Sequence, residues 1–256
     1  MTEFVDQDLS GAQFERVKLR DVRMHRVDLR GAEIRASALH NVRMSGVEMR
    51  NVEISAELFN VVVNGVDIAP LVQAELDRRM PDRVKMRPSD AHGFSEAWAI
   101  LVRLWEVTVD SARSLPAESL HARVNDEWSF IETLRHLSFA SAAWVGRMIL
   151  GDPSPWHPLD LPWDEAPGWD GIPWDRDARP TLDEVLALRR DRQGMVGGVI
   201  EALTDEQLAS TVTQSAPGWP ILVDFPLKEC LQIVLNEEWE HRLYAERDLA
   251  ALGDVA

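Results

Sequence analysis

From Phe4 to Ile54 a large apolar side chain stands at every fifth position: Phe4, Leu9, Phe14, Leu19, Met24, Leu29, Ile34, Leu39, Met44, Met49 and Ile54. Neither regular element supplies that spacing, because an α-helix returns its buried face about every 3.6 residues and a strand every 2. A sustained period of five needs a chain that turns a corner in each repeat and comes back inward, so the segment is expected to coil as a solenoid. A second column of smaller residues, among them Ala12, Val17, Val22, Val27, Ala32 and Val42, falls two positions before the large ones. An amphipathic helix fits badly, since Val, Gly and Asn fill the intervening positions and a helix would bury arginine.

Over residues 2–59 this pattern resembles the pentapeptide-repeat family, whose repeats build a right-handed, quadrilateral β-helix. The resemblance implies about three coils, with the Phe4 to Ile54 series stacked inside and end faces that stay apolar unless something caps them. After Phe59 the frame slips. Val61 to Val63, Asn64-Gly65 and Val66 to Ile68 read as a closing strand with a tight turn. Pro70 to Met80 reads as a short helix, and the charged, twice-proline stretch Pro81 to Pro88 as a linker. The expected domains are a β-helix at 1–68, a short helix and linker at 69–90, and a helical domain at 91–256.

A chain of 256 residues suits two modest domains. One cysteine excludes a disulfide framework and fits a reducing compartment. With neither a secretory pattern at the start nor an apolar run long enough to span a bilayer, the expectation is a cytoplasmic protein without membrane partners. The net charge of −16 is uneven: residues 1–60 carry 9 basic and 10 acidic side chains, residues 61–256 carry 18 and 33. Such a balance argues against nucleic acid as a partner, which needs an excess of Lys and Arg facing phosphates.

From Ala91 the period becomes helical. Phe94, Trp98, Leu101, Trp105 and Val109 mark a first long helix to about Ser114. Ser129 with Glu132, and Thr181 with Glu184, are capping-box patterns that open a second and a third. A fourth is expected over Phe225 to Leu252 with Asp224 as N-cap, and a short turn over Thr204 to Leu208. Four such helices close naturally into a bundle. The connection at 151–180 is long for a bundle and holds Trp156, Trp163, Trp169 and Trp174, which reads either as a packed lid or as the wall of a substrate pocket.

On the last helix one stripe runs Leu227, Cys230, Val234, Glu237, His241, Tyr244, so two ionisable groups continue an apolar face. Burying them costs several kcal/mol unless a partner neutralises them. Residues at i and i+4 lie one above the other, so Glu237 and His241 can share one ion, and His136, among the small residues Thr133, Ala140 and Ala143, is the natural third ligand. The alternative is a metal-free buried polar network in which Glu237 pairs with His136 and a protonated His241, or with a nearby arginine. Glu238 and Glu240 are weak candidates for a general base. His25, His40, His92 and His121 lie outside any stripe, His157 in the tryptophan segment is a lesser ligand or substrate-contact candidate, and Cys230 reads as a core thiol.

The run Glu127-Trp128-Ser129, then Leu134-Arg135-His136-Leu137, then Glu237-Glu238-Trp239-Glu240-His241-Arg242 resembles the DinB-like four-helix-bundle superfamily, which includes bacillithiol- and mycothiol-dependent transferases. That resemblance implies a divalent metal held by a His on helix two and a His-x-x-x-His pair on the last helix. His136 and His241 match, while Glu237 stands where the pair's first His is expected. A set of two histidines and one carboxylate suits Zn, Ni, Mn or Fe. The expected function is a metal-dependent transferase or hydrolase acting on small thiol conjugates. The alternative is a non-catalytic scaffold that uses the repeats for contact. A homodimer is expected in either case.

Overall fold

The computed structural model describes residues 3–35, 37–164, 166–169, 172–216 and 218–253, and the chain divides into two compact units, Met1–Ala56 and Glu57–Ala256. In the first, the period of five is present in the backbone. Positive φ falls at Asp6, Gly11, Arg16, Asp21, Arg26, Gly31, Asn41, Gly46 and Asn51, each two residues after a large apolar side chain. Gly, Asn and Asp take this left-handed region at least cost, which is why they recur at the corners.

The expected burial does not follow. The large series is exposed, from 46% at Leu9 to 68% at Ile54, and no strand occurs among the described residues of this unit. Among the described residues the backbone hydrogen bonds here span three residues, from Ala12 N–H to the Leu9 carbonyl and from Ala32 N–H to that of Leu29, both 3.0 Å. The inward stack expected for the Phe4 to Ile54 series is not shown in this structure. A corner needs only the residues of one repeat, whereas an enclosed column needs one coil to lie on the next, about twenty residues on, and a few coils offer little interior against that closure cost.

The second unit opens with a hairpin, β1 (Val62–Val63) against β2 (Val66–Asp67), turned by Asn64-Gly65 with φ of 50° and 85°. Both signs suit the two-residue turn that matches strand twist. Helix α1 (Ala69–Arg79) follows, with proline in its first turn. Residues 81–88, expected as a linker, instead carry a packed 3₁₀ helix at Pro81–Met86. Arg83 pairs with Asp77 at 2.7 Å, Arg103 with Asp82 at 3.1 Å, and Met86 enters the core. The charges that suggested a solvated linker are consumed by neighbours.

Four long helices make the body: α2 (Ala91–Arg113), α3 (Phe130–Ser141), α4 (Leu182–Glu201) and, after the short α5 (Asp205–Leu208), α6 (Leu227–Gly253). Asp90 caps α2, and Ser129, Thr181 and Thr204 each form a complete capping box, worth about 1 kcal/mol apiece. Helix α3 runs on as π-helical turns over Ala142–Ile149, with Leu150 N–H bonded to the Val145 carbonyl at 2.9 Å. Asp224 is no N-cap. It sits with φ of 50° in β4 (Leu222–Pro226), which pairs antiparallel with β3 (Thr211–Gln214), and its N–H donates to Thr213 Oγ1.

Helices α2 and α3 each pack against both α4 and α6. One apolar cluster gathers Phe94, Leu101, Val196, Leu231 and Leu235, another Trp105, Leu134, Leu137, Val185 and Leu249. Between α4 and α6 the Arg189–Glu238 ion pair lies buried at 2.8 Å. Helix α3 is buried almost all round, beyond the single face its periodicity predicts. The segment after it explains this. The Arg135 guanidinium, 1% exposed, donates to the carbonyls of Leu159 (2.8 Å), Ala178 (2.8 Å), Arg176 (3.3 Å) and Asp175, tying both ends of the tryptophan segment over the helix.

Candidate metal centre

His136 on α3 and Glu237 and His241 on α6 each offer a ligand atom, and these atoms lie within 4.8 Å of one another. Glu237 Oε2 is 3.0 Å from His241 Nε2, as the i to i+4 spacing dictates, and 3.3 Å from His136 Nε2 across the helix interface. His136 is 8% exposed; its ring and that of His241 stand nearly perpendicular, centroids 4.9 Å apart.

The tautomer of His136 follows from its other nitrogen. Nδ1 is 3.0 Å from the Leu161 carbonyl, which can only accept, so Nδ1 carries a hydrogen and Nε2 is the nitrogen that faces Glu237, as an N–H donor in the imidazolium or as a lone pair toward a shared cation. Burial pushes the Glu237 carboxyl up, but hydrogen bonds and charge from His136 and His241 outweigh it and hold the group well below the usual carboxylate range. A carboxylate facing imidazole nitrogens is therefore balanced either by protons or by a shared cation. The donor set of two imidazoles and one carboxylate, with an outer-shell carbonyl orienting one ring, fits a divalent metal.

Aromatic rings wall the site. Trp128 lies 4.5 Å from His136 and 6.0 Å from His241, centroid to centroid, and its Nε1 donates to Asp164 at 3.1 Å. Phe139, 6.1 Å from His136, is surrounded by Trp156, Trp163, Trp174 and Trp219 at 5.6–6.2 Å. Trp169 joins through Trp163 and Trp174. The segment thus touches the site directly by the Leu161 carbonyl, while its rings reach it only through Phe139.

Other groups singled out from the sequence fall elsewhere. Glu238 points into the Arg189 pair, which removes it from the three-residue cluster. Glu240 is half-buried, its carboxyl raised by burial and by Glu57 against the opposing effect of Arg83 and His241. His157 holds its own loop, its Nδ1 accepting from Leu159 N–H at 3.1 Å; burial and Arg192 depress its pKa. His25, His40 and His92 are exposed, and His121 is partly buried, its pKa lowered by burial and Arg179. Cys230 is fully buried and burial pushes its thiol up to about 12, as a core residue should be. Arg135, Phe139, Trp219 and the Leu161 carbonyl were not singled out; only the position of Arg135, next to His136 in a buried helix, was a signal available in the sequence.

A family model for the DinB superfamily matches residues 100–245, and one for pentapeptide repeats matches eight copies over residues 8–47. The first match spans more than half of the chain, and it covers the helices that carry the three-residue cluster. The protein belongs to the DinB superfamily, with pentapeptide repeats ahead of that domain. Searches of curated proteins and of solved structures gave no match. Among the described residues no helix is long and apolar enough to cross a membrane.

Proposed function

We propose that the helical unit is a four-helix bundle that holds a divalent metal through His136 Nε2, Glu237 and His241 Nε2, and that it acts as a metal-dependent transferase or hydrolase on small thiol conjugates. The observation that carries this reading is the Nδ1–H of His136 donated to the Leu161 carbonyl. It leaves the opposite nitrogen as the one available to a cation, converging with a carboxylate and a second imidazole. Three protein ligands leave coordination positions open, and a cation bound there supplies Lewis acidity to a substrate or water. The chain's own residues orient His136, and Trp128 with the tryptophan segment limits water around the site. Zn, Ni, Mn and Fe all suit this donor set.

For the repeat unit we propose the right-handed quadrilateral β-helix as its packed form. The corner at every fifth residue and the eight matched repeats support it, since coil closing on coil would cover the exposed apolar series. A cytoplasmic homodimer completes the reading. The scaffold alternative keeps the same fold with Glu237 neutralised by protonated histidines instead of a metal. Elemental analysis of the purified protein decides between them. We expect about one metal per chain, lost in both His136→Ala and His241→Ala while helical circular dichroism is retained. A metal-free wild-type protein that stays metal-free after dialysis against each cation would leave the scaffold reading.

A further inference from the structure

His136 depends on one directional contact outside the cluster. Trp128 and Phe139, with ring centroids 4.5 Å and 6.1 Å away, pack near its ring without deciding which nitrogen faces Glu237. The Leu161 carbonyl decides it, 3.0 Å from Nδ1. Leu161 lies 25 positions along the chain, in a segment with no helix or strand among its described residues. An outer-shell acceptor of this kind is worth about 10–100-fold in metal affinity, so whatever holds Leu161 in place bears on the site.

The residue that holds it is the neighbour of the ligand. The Arg135 carbonyl accepts from Leu161 N–H at 3.3 Å, and Arg135 Nε donates to the Leu159 carbonyl at 2.8 Å, so one residue grips the chain on both sides of Asp160. The other guanidinium nitrogens reach the returning end of the segment, at the carbonyls of Ala178 (2.8 Å), Arg176 (3.3 Å) and Asp175. These two stretches also meet directly, Asp175 N–H donating to the Pro158 carbonyl at 2.9 Å. A planar fork of five N–H donors serves acceptors on two stretches at once, whereas an ammonium with three donors on a flexible stem cannot hold the same set. Arg176 supplies a contrast within the segment. Its NH2 gathers the carbonyls of Trp163 and Ala166 at 3.2 Å and 3.1 Å, and those bonds reach neither Leu159 nor Leu161.

Resting on the metal reading above, we propose that Arg135 is a positioning residue for the cation: it holds the Leu161 carbonyl against His136 Nδ1 and so couples closure of the tryptophan segment to metal binding. Linkage makes the coupling reciprocal. An open segment frees the His136 ring to turn and weakens the cation, and a cation bound at Nε2 favours the closed segment.

Zinc titration of the full chain against a chromophoric chelator tests this. Arg135→Lys should bind zinc about tenfold or more weakly than wild type. Arg176→Met, which loosens the same segment away from Leu161, should bind as wild type does. In the zinc-free chain the Nδ1–H proton of His136, seen in ¹⁵N-histidine spectra, should be protected in wild type and Arg176→Met and lost to exchange in Arg135→Lys, a difference that general support of the fold would not produce. Hydrogen exchange adds a reading that needs no substitution: zinc should slow the amides of Leu161 and Asp175 and leave that of Ala166, bonded to the Trp163 carbonyl, unchanged. Undiminished zinc affinity in Arg135→Lys would overturn the proposal, as would an equal loss in Arg176→Met or exchange at Leu161 that ignores zinc. A wild-type chain that binds no zinc, nickel, manganese or iron would sink the metal reading and the coupling with it, and is told apart because it shows before any substitution is made.

Discussion

The two units carry equally strict apolar periods and reach opposite outcomes. In Met1–Ala56 a period of five sets the backbone corners and leaves the large side chains exposed; in Glu57–Ala256 the helical period buries Leu101, Leu134, Val185 and Leu235 almost completely. The difference lies in what each period can accomplish locally. A helix satisfies its backbone within itself, so its apolar stripe needs only a second helix to lie against. A five-residue corner satisfies little by itself, and its apolar column gains a partner only when successive coils stack. Periodicity thus specifies direction in both cases and burial in only one.

The comparison is broken most forcefully in the helical unit. Glu238→Ala strands Arg189 inside the core and should cost about 3–5 kcal/mol, seen as a loss of cooperative thermal unfolding or a fall in Tm of ten degrees or more. A variant that melts with the wild type would show that water reaches the pair. Leu29→Asp puts the same question to the repeats. If the coils close as proposed, burying that charge should cost about 2–4 kcal/mol and unfold the repeat unit alone. A variant indistinguishable from wild type by hydrogen exchange across residues 3–56 would keep Leu29 at its observed 57% exposure and sink the closed form. Deleting residues 1–56 should leave a folded helical unit with its metal content intact, because His136, Glu237 and His241 all lie beyond the boundary; loss of the metal would show that the repeats are an integral part of the site.

A smaller effect concerns Asp160, wholly buried in the tryptophan segment, whose pKa burial raises to about 7 against the opposing charge of Arg192. The folded state then holds a proton that the unfolded state has released, so this group lowers stability as pH rises from about 4 to about 7, by at most ~4 kcal/mol. Asp160→Asn, which can still accept from His157 N–H, should gain Tm over wild type at pH 8 and show a clearly smaller gain at pH 5. An equal gain at both values would locate the effect in packing. Glu240→Gln, at the half-exposed edge of α6, should change stability by less than about 0.5 kcal/mol, and calorimetry that finds a larger loss would place that carboxylate in a structural contact.

Much of the site was legible because helices convert sequence spacing into geometry. The four-residue interval between Glu237 and His241 makes their 3.0 Å contact almost unavoidable, and ionisable residues on an apolar stripe mark a place where burial needs compensation. The capping boxes at Ser129 and Thr181 announced two helix starts to the residue. Segments whose partners are distant in sequence were not legible. Residues 81–88 look like a linker until Asp77 and Arg103 are seen beside them, and Asp224 looks like an N-cap until Thr211–Gln214 supplies its strand.

Sequence alone determined the corners at every fifth residue, the four long helices and the identity of the three converging side chains, since each depends on neighbours within a few positions. Tertiary structure decided how those side chains are held. The Leu161 carbonyl reaches His136 only because Arg135 gathers four loop carbonyls over α3, and Trp239 and Arg242 lie beside Met80 and Pro81 only because the 3₁₀ helix at Pro81–Met86 folds back against α2 and α6. Such contacts join residues 25 to more than 150 positions apart, where no local period carries information about which groups will touch.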